Sequence, residues 1–205
     1  MVITSLLDQY GDYLAGYLTP PRLQHAIGVM QRMGELAELY GLNHDRAMVA
    51  GLLHDTAKDL PAEALLGLAK KAGVVFEHDC EQLPIYLHGP VGAYMVRTAL
   101  GITDPVILDA IATHTNYGEV VESQRRFSWC LRFADILSPV KAWHGMHKLK
   151  SLVYAGEFQP AQLLLSSWLI EYFEKNGIPV HPNFEQHVQT LTEAPGVAGD
   201  FFARW

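Results

Sequence analysis

The sequence predicts an all-α helical bundle, on three observations. Apolar residues recur at i, i+3, i+4 and i+7 in successive windows. Prolines open those windows and glycines close them. No alternating strand pair, Asn-Gly hairpin or internal repeat interrupts the pattern.

The elements follow in order. Thr19-Pro20-Pro21 opens a helix that runs to Tyr40 and is closed by Gly41, with Leu23, Met30, Met33, Leu36, Ala37 and Tyr40 on its stripe. Asn43 is an N-cap for a second helix carrying Ala47, Ala50, Gly51 and Leu53 toward His54 and Asp55. Leu60-Pro61 starts a short helix ending at Gly73, and Pro90 starts another that ends at Leu100-Gly101. Asp104-Pro105 pairs a cap with a first-turn proline and leads through Ile107 and Ile111 to His114. A helix from about Gln124 to Leu137 stops before Pro139, and two more cover roughly Trp143 to Tyr154 and Pro160 to Lys175. A last helix spans about Asn183 to Leu191. Residues 1–192 read as one domain, and residues 193–205, rich in Ala, Pro and Gly, as a loosely held tail.

Bulk properties bound the function. With 205 residues and 49% hydrophobic content, the chain can bury a substantial core. A formal net charge of −7 leaves no basic surplus for nucleic acid. An acidic protein still binds a phosphate ester where a divalent cation inverts the local charge. Cys80 and Cys130 form no CxxC and no disulfide pattern, so a reducing cytoplasm is expected. The N-terminal stretch, interrupted by Asp8 and Asp12 and without Lys or Arg, does not read as a signal peptide. The apolar run from Leu163 to Phe173 is too short to span a bilayer. No membrane partner is expected.

Dinucleotide, P-loop and nucleophile-elbow motifs are absent. The chemistry lies among ten histidines. Ala47, Ala50, Gly51, His54, Asp55 and Lys58 share one helical face, small at its start and ionisable at its end. The small half admits a close helix neighbour; the ionisable half is costly to bury without compensation. Asp135 falls where the stripe of Phe127, Cys130, Leu131 and Ala134 calls for a core residue, and His114 continues the stripe of Ile107 and Ile111. His88 stands ahead of Gly89-Pro90, and His25 lies one turn after Arg22. Any one of these histidines alone reads as a hydrogen-bonded core residue, and Lys58 alone as a solvated helix end. What singles them out is their order on separate helices, the way bundles assemble interior metal sites.

That order, His25, His54-Asp55, His88, His114 and Asp135, resembles the HD-domain metal-dependent phosphohydrolases. RLQHAIGV, AGLLHDTAK, LHGPVGA, DAIATHT and FADILSP resemble in particular the bacterial branch that hydrolyses diadenosine tetraphosphate symmetrically. The resemblance covers about residues 22–141 and implies an HD-like bundle with an interior metal site. GIPVHPN adds a C-terminal likeness. Two stretches depart from the pattern. Asn116-Tyr117-Gly118 follows His114-Thr115, and Ser138 and Lys141 stand where the family has an acidic residue and an arginine.

By resemblance, His25, His54, Asp55 and Asp135 hold one ion, His88 and His114 hold a second, and Asp55 bridges them. Paired ions about 3.5–4 Å apart suit in-line displacement at phosphorus. Asp55 and Lys58 carry the catalysis, and Arg22, Lys58, Lys141 and His181 are the candidate substrate contacts. The resemblance favours iron; manganese and zinc also suit imidazole and carboxylate donors, and no thiolate argues for zinc. The implied reaction splits diadenosine tetraphosphate into two ADP. Rival readings are another HD nucleotidase, a cyclic-nucleotide phosphodiesterase, or a nucleotide-sensing module without catalysis. His144 and His147, one turn apart, fit no family position. Phe201, Phe202 and Trp205 leave three readings open: packing on a second copy as a homodimer, folding onto the chain's own core, or remaining mobile.

Overall fold

The structure, a computed structural model, describes residues 3–116, 118, 120–138 and 145–193. Among them are ten α-helices and one short 3-10 helix, with no strand. They pack as two compact units, Met1–Ala142 and Trp143–Trp205. The first holds α1 (Ile3–Ala15), α2 (Pro20–Tyr40), α3 (His44–Leu53), α4 (Ala62–Ala72), the 3-10 turn Asp79–Gln82, α5 (Pro84–Leu100), α6 (Pro105–Thr113) and α7 (Glu122–Ile136). The second holds α8 (Met146–Tyr154), α9 (Phe158–Lys175) and α10 (Pro182–Glu193). The motif core expected from the sequence, residues 22–141, falls within the first unit. No helix among the described residues is long and apolar enough to cross a membrane.

Caps read from the sequence form as expected. The Asn43 side chain accepts from Arg46 N at 2.9 Å, and Asp104 accepts from Val106 N at 3.0 Å. Asp104 also accepts from Arg46 Nε at 2.6 Å, so one carboxylate ties the start of α3 to the start of α6. Thr19 does not cap α2 with its own hydroxyl. Asp59, far along the chain, accepts instead from Thr19 N and Thr19 Oγ1, both at 2.9 Å. A carboxylate at that end also meets the positive pole of the helix.

In the first unit α2 and α3 pack closely, and both touch α7; α3 and α7 each pack on α6, which carries α5 and then α4 on its far side. The α2–α3 contact depends on Gly51. A Cβ there would lie 2.8 Å from Met30 Cα and 3.0 Å from Val29 O, backbone atoms that cannot turn aside. Gly89 serves α5 and α6 in the same way, since its Cβ would meet Ala112 O at 2.8 Å and Ile111 O at 3.0 Å.

One helix start differs from the sequence reading. α5 begins at Pro84, not Pro90, so His88 lies inside the helix rather than ahead of it. Leu83-Pro84 provides the first-turn proline, and Leu87 N bonds Leu83 O at 3.0 Å to close that turn. Pro90 is then an interior proline, lacking one helical hydrogen bond. Helix α1, buried through Leu6, Tyr10 and Leu14, was not anticipated either.

In the second unit α9 packs against both α8 and α10, with the Phe173 and Phe184 rings 5.5 Å apart.

Candidate metal centre

Each expected ligand enters from a separate point of the bundle. His25 lies on α2, His88 on α5 and Asp135 on α7; His54 and His114 are the C-cap residues of α3 and α6. Asp55 follows at the end of α3. His25, His54, Asp55, His88 and His114 are all at least 95% buried, while the Asp135 side chain is 21% exposed.

The two helix ends explain two of the ring orientations. The last carbonyls of a helix have no intrahelical N–H to accept. His54 Nδ1–H donates to Gly51 O at 2.8 Å, and His114 Nδ1–H donates to Ile111 O at 2.7 Å. His88 Nδ1–H donates to Pro84 O at 3.0 Å. A carbonyl can only accept, so all three rings carry their proton on Nδ1 and present a bare Nε2.

Those Nε2 atoms converge on Asp55, whose two oxygens face different neighbours. Oδ1 lies 3.2 Å from His88 Nε2 and 3.5 Å from His114 Nε2. Oδ2 lies 3.6 Å from His54 Nε2 and 4.0 Å from His25 Nε2. Asp135 Oδ1 joins the second group, 2.9 Å from His25 Nε2 and 3.8 Å from His54 Nε2. His25–His54–Asp55 and Asp55–His88–His114 each satisfy the spacing of a metal-binding triad, with Asp55 common to both.

The donor chemistry fits cations. His88 and His114 bring two bare nitrogens within 3.2 Å of each other, an arrangement that neutral rings with Nδ1 protons cannot satisfy by a hydrogen bond. His54 Nε2 is fully buried with no hydrogen-bond partner, a costly orphan unless it ligates. Imidazole and carboxylate donors suit divalent transition ions.

Electrostatics separate the two halves. Burial would raise the Asp55 carboxyl, but the neighbouring His54, Lys58, His114 and His88 hold it well below the usual carboxylate range. Burial and the Lys58 ammonium push His88 down to about 4. Burial lowers His114 as well, more than Asp55 raises it. For His54 burial is outweighed by Asp55 and Asp135, and its pKa rises.

The expected substrate contacts fare differently. Lys58 Nζ lies 3.1 Å from His88 Nε2, at the edge of the cluster. Arg22 Nε pairs with Asp59 Oδ1 at 3.3 Å, and its side chain is 40% exposed. His181 is buried in the second unit, where its Nδ1 accepts from Asn183 N at the start of α10. Lys141 lies outside the described residues, as do His144 and the aromatic tail. Three supporting residues had not been assigned a contact from sequence. Asp59 anchors the start of α2. Arg132, buried on α7, donates to Thr113 O at 2.8 Å and so holds the end of α6 beside His114. Ser138 Oγ lies 3.1 Å from His25 Nδ1.

Comparison with known proteins gives a consistent result. Residues 22–140 match the HD domain family. The chain is 30% identical over 166 residues to the symmetrical bis(5'-nucleosyl)-tetraphosphatase of Bacillus subtilis (strain 168), covering 81% of this chain and 87% of that protein. It is 32% identical over 139 residues to the Halalkalibacterium halodurans protein of the same name, covering 66% and 70%. Among solved structures, it resembles a predicted HD superfamily hydrolase involved in NAD metabolism from Clostridium acetobutylicum. The TM-score is 0.82 at 28% identity, over 90% of this chain and 95% of that one. The ordered histidines and aspartates and a family match over more than half the chain lead to one conclusion: the protein belongs to the HD-domain family of metal-dependent phosphohydrolases.

Proposed function

We propose that the protein binds two divalent cations and hydrolyses dinucleoside polyphosphates, splitting diadenosine tetraphosphate at its centre into two ADP. The observation that carries the two-cation reading is the division of the donors around Asp55, one carboxylate oxygen toward each pair of imidazoles. The substrate class is supported by relatives named for symmetrical tetraphosphatase activity. The family resemblance favours iron as the native ion.

The bound ions supply Lewis-acid activation and neutralise phosphate charge. His25, His54 and Asp135 would hold one, His88 and His114 the other, with Asp55 between them. The residues around them do the positioning. Gly51 O, Pro84 O and Ile111 O fix three ring tautomers, so each Nε2 is presented without a proton. Lys58, beside His88, places an ammonium where a phosphate oxygen would approach. Arg22, oriented by Asp59 one turn before His25, offers a second cation for the polyphosphate chain. Lys141 enters as a nucleotide contact on resemblance alone. The leaving group is a nucleoside diphosphate that spreads its negative charge and needs little protonation, which suits a site where the described residues offer no separate general acid.

The test is product identification. Metal-loaded protein is given diadenosine tetraphosphate in oxygen-labelled water, and early products are separated chromatographically. ADP alone, with label on one of the two molecules, supports symmetric cleavage. ATP plus AMP would refute it. NAD belongs in the same panel, because the structural neighbour is described as acting in NAD metabolism; faster turnover of NAD would move the proposal to that substrate.

A further inference from the structure

We infer that Ser138 is the positioning residue for His25, the ligand imidazole whose Nδ1 is held by a distant side chain instead of a carbonyl three or four residues back. This rests on the two-cation reading above.

Three of the four ligand imidazoles are oriented by their own helix. His54, His88 and His114 reach back three or four residues to the carbonyls of Gly51, Pro84 and Ile111. His25 sits in the second turn of α2, where its Nδ1 meets no carbonyl of its own helix. Its Nδ1 meets the hydroxyl of Ser138, 113 residues away, at 3.1 Å. Ser138 is completely buried and lies just beyond the end of α7. Its neighbour Asp135 faces the opposite edge of the same ring, with Oδ1 at 2.9 Å from Nε2.

The consequence follows from hydrogen-bond chemistry. A ligand ring must carry its proton on the nitrogen that does not bind metal, and the partner of that nitrogen fixes both the tautomer and the ring angle. A carbonyl can only accept and leaves no choice. A serine hydroxyl both donates and accepts, so it holds the Nδ1–H form of His25 only while its oxygen is placed to accept. The His25 half is therefore the one whose metal affinity depends on how the end of α7 meets α2. The Nδ1 partners of His88 and His114 lie within their own helical turns.

The test compares Ser138→Ala and Ser138→Cys with the unaltered protein. Both variants remove the good acceptor from a buried position without adding much volume, so either can carry the test if the other folds poorly. Manganese binding to metal-free protein is followed by the spin-resonance signal of the free ion. The unaltered protein should take up two ions per chain. In the variants one ion should bind about 10–100-fold more weakly, the usual cost of losing such a supporting partner, and the other by less than about twofold. In zinc-loaded, nitrogen-labelled protein, the Nδ1–H signal of His25 should move toward that of a ring without an acceptor, while those of His54, His88 and His114 stay in place. Equal weakening of both ions, or unchanged affinity with an unchanged His25 spectrum, would overturn the assignment. If the unaltered protein binds one ion only, the two-cation reading fails. Ser138 is then judged on that ion, and stands only if its loss weakens binding and alters the His25 signals.

Discussion

Gly51→Ala probes how the fold sets the metal centre. The added Cβ would stand 2.8 Å from Met30 Cα, 3.0 Å from Met30 N and 3.0 Å from Val29 O. Ordinary carbon contacts lie near 3.5–4.0 Å, so α2 and α3 must part locally by about 0.7–1 Å. Overpacking of this kind costs about 1–3 kcal/mol, and the better helix propensity of alanine returns about 1 kcal/mol. The net loss is therefore on the order of 0–2 kcal/mol, or up to about 8 °C in Tm for a chain of this size. The same shift separates His25 on α2 from His54 at the end of α3, by more than the ~0.5 Å that a preorganised site tolerates. Thermal melts of the metal-free protein and manganese titration give the two readouts. Gly67→Ala is the control: it lies on α4 with nothing within 4 Å of its Cβ, and should stabilise by about 0.5–1 kcal/mol. A Gly51→Ala protein that melts as high as the unaltered one and binds metal equally well would refute the close-approach reasoning.

Three further outcomes are expected. Asp55→Asn should weaken both ions and reduce turnover by at least 10³-fold, because one carboxylate faces both halves; elemental analysis showing full metal content would place the bridge elsewhere. Lys58→Ala should lower kcat and kcat/KM together by about 10²-fold while metal content stays nearly constant. Loss of metal, or unaltered kinetics, would assign Lys58 to structure. On acidification the His25–His54–Asp135 half should release its ion first. The sign follows from the shifts: His54 is raised and takes up a proton above the ordinary imidazole range, whereas His88, pushed down to about 4, stays neutral through mild acid. Metal titrations between about pH 7.5 and 5 check this, and simultaneous loss of both ions would contradict it.

Much of this was legible in the sequence, because the signals concerned are local. Asn43 and Asp104 announce helix starts by bonding backbone groups two or three residues away, and both bonds form. The small face of Ala47, Ala50 and Gly51 announces a close helix neighbour, and Gly51 meets the backbone of α2. The candidate ligands stand out because polar groups lie on apolar stripes in a recognisable order. What stayed hidden depends on distant parts of the chain meeting. Asp59 caps a helix 40 residues earlier, Arg132 holds a carbonyl 19 residues earlier, and Ser138 reaches His25 across the bundle. Ser138 stands out in the sequence only as a departure from the family pattern, since nothing local points to an imidazole. The start of α5 was misplaced because Pro84 and Pro90 carry the same signal, and burial of Tyr86 and Leu87 decides between them.

The central claim, that six side chains hold two cations with Asp55 between them, is tested most directly by locating the ions. Crystals of manganese-loaded protein, measured near the metal absorption edge, should show two anomalous peaks on either side of the Asp55 carboxylate. The separation should be about 3.5–4 Å, with His25, His54 and Asp135 around one peak and His88 and His114 around the other. A single peak at full loading, or a pair of peaks that does not share Asp55, would contradict the account.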